Sequence, residues 1–305
     1  MPEYPEVTLY VERLQALVAG QVLEGVRLIN PFVLRTVAPP LTDLAGRTLE
    51  RVERLGKRIV LTFSGERYVV IHLMIAGRLR WARKGAGLAR KVGLAAFDFA
   101  HGTLLLTEAG TKRRAAMHVV AGRAGLEAFR RGGVDPMAAS PEAFAAALRR
   151  QNRTLKRALT DPDIVDGIGN AYSDEILHRA RLSPFKQTEA LTPAECAALL
   201  TACQEVLGEW VARLRAEAGD GFLEKVTAFH PEMAVHGKYR APCPVCGAPV
   251  QRLVYAENEA NYCPGCQTGG KVFADRALSR LLREDWPKRV EELEERAIAT
   301  TRKPG

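Results

Sequence analysis

Four cysteines, arranged as Cys243-x2-Cys246 and Cys263-x2-Cys266 with sixteen residues between the pairs, constrain this chain more than any other feature. Thiolates at this spacing bend round one ion from a tight knuckle, and two knuckles close a tetrahedral site with no position left for a reacting water. The spacing therefore predicts one structural Zn2+ held by Cys243, Cys246, Cys263 and Cys266 in a ribbon hairpin. In zinc-finger peptides such a metal supplies roughly 10–16 kcal/mol of apparent binding energy, enough to fold a small hairpin. Metal ligation rather than disulfide pairing follows from the expected compartment. The opening MPEYPEV lacks the basic-then-apolar order of a signal peptide, which predicts a cytoplasmic protein. Cys196 and Cys203, seven residues apart in an alanine-rich run, share one helix face and read as small core residues.

Around the ribbon, 305 residues suffice for about two domains. Pro5 suits a helix's first turn, and Val7, Tyr10, Val11, Leu14, Leu17 and Val18 recur at helical spacing until Gly20. From Val22 to Val120 the period changes to two, as in Ile59, Leu61 and Phe63, then Ser64-Gly65-Glu66, then Tyr68, Val70 and His72. That alternation predicts an antiparallel β-sandwich. From Pro141 onward, segments rich in Ala, Leu and Arg predict four main helices, and Phe273 to Ala299 reads as another. The fold class is α+β.

The formal net charge is +9, and much of it is concentrated. Between Arg78 and Arg114 stand nine basic side chains against Asp98 and Glu108 alone, which points to a polyanionic partner. The apolar run from Tyr68 to Gly77 is about half of what a bilayer requires, so no membrane partner is expected. Two further clusters can carry chemistry. If Met1 is trimmed, as is usual before proline, Pro2 presents a secondary amine with Glu3 and Glu6 close behind it. An α-amino group has a pKa of about 8, so part of it is unprotonated in the cell and can attack an electrophilic carbon. In Asp166-Gly167-Ile168-Gly169-Asn170, two glycines allow a tight turn that exposes backbone amides ahead of a helix; this fits either a phosphate site or a plain connector.

The run MPEYPEV, Gly56-Lys57, His72-Leu73-x3-Gly77-x-Leu79, Lys156, GIGNAYSDEIL at 167–177 and the terminal CPGCQ of the ribbon resemble the formamidopyrimidine-DNA glycosylase and endonuclease VIII family. The matches keep the family's order over most of residues 1–270. The resemblance implies a catalytic β-sandwich domain with flanking helices over 1–125 and a helix-two-turns-helix DNA-binding domain over 135–225. A zinc finger over 235–270 and a helical extension over 271–305 complete it. It also implies a monomeric bacterial enzyme, nucleoid-associated when bound to double-stranded DNA with oxidised bases or abasic sites. Such an enzyme flips the damaged nucleotide out of the duplex, excises the base and nicks the strand by β,δ-elimination.

Pro2 is then the nucleophile at the sugar C1′, Glu3 the general acid or base at the ring oxygen, and Glu6 the carboxylate that positions the N-terminus. Lys57, Lys156 and Asn170, the last beside Gly169 in the GIGN turn, match residues that hold phosphates around the flipped nucleotide. His72, Arg113 and Arg114 are further candidate DNA contacts. The chain departs from the family in two places. Asn258 stands where the ribbon hairpin carries an arginine five residues before its third cysteine, with Arg252 or Lys271 as possible replacements. Met74 or Ile75, and the segment from Glu108 to Arg114, stand where the family fills the gap left by the flipped base. Two alternatives remain open: a non-catalytic zinc-ribbon protein that binds damaged DNA, and the same chemistry on single strands or crosslinks.

Overall fold

The computed structural model describes residues 1–110, 112–222, 229–255 and 258–273. Their contacts divide the chain into two compact units, Met1–Gly133 with Leu207–Thr227, and Val134–Val206 with Ala228–Gly305.

The first unit opens with α1 (Tyr4–Val18), whose spacing of Val7, Tyr10, Leu14 and Val18 buries one stripe completely. Eight strands follow: β1 (Leu23–Leu28), β2 (Leu49–Leu55), β3 (Arg58–Phe63), β4 (Arg67–His72), β5 (Gly77–Ala82), β6 (Gly93–Phe99), β7 (Gly102–Glu108) and β8 (Ala116–Ala121). They pair antiparallel throughout, as two four-stranded sheets ordered β1-β6-β7-β5 and β2-β3-β4-β8. The inward faces, with Leu61, Phe63, Val69 and Ile71 on one sheet and Phe97, Phe99, Leu104 and Leu106 on the other, share one core with α1. This is the expected sandwich. Alternation alone predicts a solvated outer face, yet Val60, Tyr68 and Val70 are also buried. The helix α2 (Gly122–Glu127) and Phe129 explain this, because Val120, Leu126 and Phe129 pack over that face.

In the second unit, α3 (Pro141–Arg149) starts at Ser140, whose hydroxyl accepts the amide of Ala143, with Pro141 in the first turn. It is followed by α4 (Leu155–Thr160), α5 (Asn170–Arg179) and α6 (Pro193–Ala218), the four expected helices. Cys196 and Cys203 are buried on α6 as predicted, and burial pushes the Cys203 thiol pKa up, which makes it inert. The unit boundary falls within α6: Leu207 onward belongs to the first unit, where Leu214 and Ala218 join the sandwich core. The ribbon comprises β9 (Gln251–Tyr255), β10 (Asn258–Tyr262) and the short α7 (Pro264–Gln267). The expected helix from Phe273 to Ala299 lies, beyond residue 273, outside the described residues.

The turn from β4 to β5 shows how closely the backbone approaches itself. The amide of Gly77 donates to the carbonyl of Leu73 at 2.9 Å, and a methyl group on Gly77 would stand 2.2 Å from that oxygen. We expect Gly77→Ala to lower the stability of the first unit by about 1–3 kcal/mol in urea unfolding. An unchanged midpoint would contradict this close approach.

Candidate functional site

The beginning of the chain is fixed by a reciprocal pair of hydrogen bonds. The side chain of Glu3 accepts the amide of Glu6, while Glu6 Oε2 accepts the amide of Glu3 at 2.8 Å. This capping box satisfies two donors at the start of α1, and both carboxylates are buried, at 2% and 5% exposure. Pro2 is buried with them. The α-amino group of Met1 lies below its ordinary pKa because burial disfavours the ammonium; Glu3 and Glu6 oppose that shift, and Arg78 and Lys57 reinforce it. The structure therefore places Glu3, Glu6 and Lys57 within electrostatic reach of the amino terminus.

Lys57 reaches this corner through a two-residue turn between β2 and β3, with Gly56 at a positive φ of 59° where a side chain would be strained. Arg54 ties the turn to the helix, its guanidinium 4.0 Å from the centre of the Tyr4 ring and hydrogen-bonded to the Gly56 carbonyl. Arg78 comes from the start of β5, where it holds the carbonyls of Ile75 and Gly77. Neither arginine was expected in the site. Only folding brings them to the amino terminus; Arg78 stands out in the sequence solely as part of the basic stretch, and Arg54 not at all.

Further candidates lie elsewhere in the first unit. Glu108, 1% exposed, accepts the amides of Arg114 and Ala115 and so clamps the end of the basic loop. Arg113 is exposed with its guanidinium on the Lys91 carbonyl, and Arg114 is half-buried. Ile75 is 57% exposed, and Met74 has a positive φ of 52°. His72 ends β4, and its Nε2 is buried with no hydrogen-bond partner among the described residues. Burial first, then Arg58, Lys57 and His118, push its pKa down to about 4, so the ring is neutral at pH 7.

In the second unit, Gly169 caps α5 and Asn170 opens it. Lys156 is almost wholly buried, its Nζ 2.6 Å from the Asn170 carbonyl and 2.6 Å from Asp174 Oδ1. The hydroxyl of Ser173 donates to the Gly169 carbonyl at 2.6 Å. Lys156 thus grips the first turn of α5 from inside. The buried ammonium is tolerated because a carboxylate and a carbonyl both accept from it.

The same helix carries the ribbon. Asp174 Oδ2 lies 2.7 Å from His236 Nδ1 and accepts the Asn261 amide at 3.0 Å. Glu175 accepts three consecutive amides, those of Ala234, Val235 and His236, while desolvation holds its pKa above the ordinary carboxylate value. The four sulfurs converge: Cys243 and Cys266 are 3.9 Å apart, and Cys246 and Cys263 are 3.3 Å apart. Zinc–sulfur bonds of about 2.3 Å give a tetrahedral edge near 3.8 Å, which the Cys243–Cys266 spacing matches, and the sulfurs of Cys243, Cys263 and Cys266 all lie within 4.8 Å of one another. His178 also lies here, its Nε2 3.2 Å from Cys243 Sγ, and no cysteine spacing announces it.

Comparison with known proteins decides the family. Residues 1–117 match the formamidopyrimidine-DNA glycosylase N-terminal domain, 133–218 its H2TH domain, and 241–269 the zinc finger found in FPG and IleRS. A formamidopyrimidine-DNA glycosylase of Thermus thermophilus is 34% identical over 284 residues, covering 88% of this chain and 100% of the relative. This chain belongs to the formamidopyrimidine-DNA glycosylase family. A formamidopyrimidine-DNA glycosylase-like protein of Mycobacterium tuberculosis, described as uncharacterized, is 40% identical over 151 residues, half of this chain and 94% of the relative. Among solved structures, wild-type Lactococcus lactis Fpg in complex with DNA containing an oxidized pyrimidine superposes with a TM-score of 0.78. It is 25% identical and covers 88% of this chain and 100% of that one. The FPG-type finger and the converging thiols together give this family member one zinc site. No helix among the described residues is long and apolar enough to cross a membrane.

The depressed pKa of His72 has a measurable consequence. An unfolded chain protonates this ring near its ordinary value of 6.5, whereas the folded chain does so only near 4. Stability is therefore complete above pH 6.5 and is lost as pH falls towards 4, by at most about 3 kcal/mol from this residue. His72→Gln should lose less stability than wild type over that interval in urea unfolding. Parallel pH profiles for the two proteins would contradict the assignment.

Proposed function

We propose that this chain is a bifunctional DNA glycosylase and abasic-site lyase of base excision repair. It excises oxidised bases from double-stranded DNA through an iminium formed on Pro2. The observation that carries this reading is the buried amino terminus, locked by Glu3 and Glu6 beside Lys57 and Arg78, in a chain of this family.

Removal of Met1 leaves the Pro2 nitrogen as the amino terminus, in the surroundings that already lower the Met1 amine. A lowered pKa enlarges the unprotonated, nucleophilic fraction at neutral pH. Attack on C1′ forms the C–N bond as the base departs, and ring opening then leaves a charged iminium. Glu3 serves as general acid or base at the ring oxygen, and Glu6 keeps the backbone of Glu3 in place. The iminium acidifies C2′, so loss of its proton expels the 3′ phosphate. A second elimination expels the 5′ phosphate.

The phosphates bind to three groups of residues. Lys57 supplies a cation beside the reacting carbon. Gly169 and Asn170 supply the positive end of the α5 dipole, which Lys156 holds in shape from within. Lys156 thus positions Asn170, rather than meeting the phosphate as a surface cation. Arg113 and Arg114 add grip on the backbone. The zinc holds the ribbon rigid and takes no part in the chemistry. These roles suit a monomer acting on the nucleoid.

Strand scission of an oligonucleotide with a single abasic site tests the reading. Wild type should nick it with loss of both phosphates. Glu3→Gln should nick it roughly 100-fold more slowly or worse, and a chain extended before Pro2 should not nick it. Lesion-dependent retardation in a gel, without scission by wild type after long incubation, would instead support a binding protein.

Affinity for the same DNA should fall steeply with salt, because each neutralised phosphate releases counterions. Replacing Arg113 and Arg114 by Glu should lower the slope of log affinity against log salt by about two. An unchanged slope would make both residues part of a solvated face.

A further inference from the structure

Four cysteines complete a zinc ribbon, yet here one of the sulfurs has an additional side-chain partner. Nε2 of His178 stands 3.2 Å from Cys243 Sγ, with both residues buried and 65 positions apart in the chain. Its nitrogen and the sulfurs of Cys243, Cys263 and Cys266 all lie within 4.8 Å of one another. His178 follows Asp174 by one helical turn, so it shares a face of α5 with the residues that already hold the ribbon. Asp174 reaches His236 and Asn261, Glu175 clamps the backbone of residues 234–236, and Gln267 donates to the carbonyl of Leu182 just beyond the helix. From that face of α5, His178 reaches a ligand sulfur.

The chemistry of a four-thiolate site gives that contact a purpose. Four thiolates on one Zn2+ leave a net charge of −2, and each N–H aimed at a sulfur offsets part of it while fixing the sulfur's position. Cys243 receives one such donor from the backbone, the amide of Val245 at 3.4 Å. Cys243 is buried away from water, whereas Cys246 is exposed and solvent can reach it.

We propose that His178 is a positioning residue of the metal centre: its Nε2 donates a hydrogen to the Cys243 thiolate. It thereby joins the zinc to the helix that begins with Asn170. Partners of this kind change metal affinity by about 10- to 100-fold when removed. The inference goes beyond the catalytic reading and does not depend on it, because it concerns metal retention.

The test uses the full chain loaded with Co2+ or Zn2+. The Co2+ protein should show the visible d–d bands of a four-thiolate site in wild type and in His178→Phe alike. Zinc transfer to a competing chelator should be about 10- to 100-fold faster from His178→Phe. His178→Gln keeps an N–H donor and should restore most of the slow release. Equal release from wild type and His178→Phe would overturn the proposal. So would a mixed nitrogen–sulfur spectrum in wild type that His178→Phe abolishes, since the histidine would then be a ligand. If His178→Phe fails to fold, His178→Gln decides: release near the wild-type rate supports the donor, and release more than tenfold faster overturns it.

Discussion

The pair of hydrogen bonds exchanged by Glu3 and Glu6 fixes the start of the first helix, and with it the amino terminus of the first unit. A chain terminus is ordinarily frayed, because nothing pairs its first amides or limits its rotations. Here the first helix starts immediately, its opening donors satisfied by two buried carboxylates, and its apolar stripe is anchored in the sandwich core. The residues just behind the terminus are therefore fixed by side-chain hydrogen bonds as well as by the helix. The same carboxylates face a buried amine, and Lys57 and Arg78 stand on the other side of the charge balance. One local device thus both orders the terminus and tunes it.

In the second unit, α5 plays the corresponding part. Its first turn is stapled by Lys156 and Ser173, and the face carrying Asp174, Glu175 and His178 holds the ribbon. A buried Lys–Asp pair contributes little net stability, because desolvation offsets most of the attraction. Its value lies in specificity: Asp174 meets Lys156, His236 and Asn261 at once, and moving any one of them leaves a buried charge or amide unpaired. Helix, turn and ribbon share a single arrangement for that reason.

Much of this was legible in the sequence, and the remainder was hidden for identifiable reasons. The α1 stripe, the strand alternation and the four cysteines are periodic or closely spaced, so local geometry fixes them. Burial of Val60 and Val70 on the outer sheet face was not legible, since its cover comes from α2 and Phe129, about sixty residues later. The spacing of α6 marks a helix but not which unit each half joins. Lys156 stands out in the sequence, but its aspartate partner eighteen residues on does not, and that partner is what accounts for a buried ammonium at this position. Arg54 and His178 carry no signature, and Arg78 stands out only as one of a basic stretch, because the neighbours of each meet it only after folding.

In the proposed chemistry the terminal secondary amine, and no other nucleophile, bonds to the sugar. Borohydride reduction of the complex with abasic-site DNA, followed by protease digestion and tandem mass spectrometry, tests it most directly. One adduct is expected, on the nitrogen of Pro2, in a peptide that has lost Met1. An adduct on Lys57 or any other lysine, or a retained Met1 in the reacting protein, would contradict it.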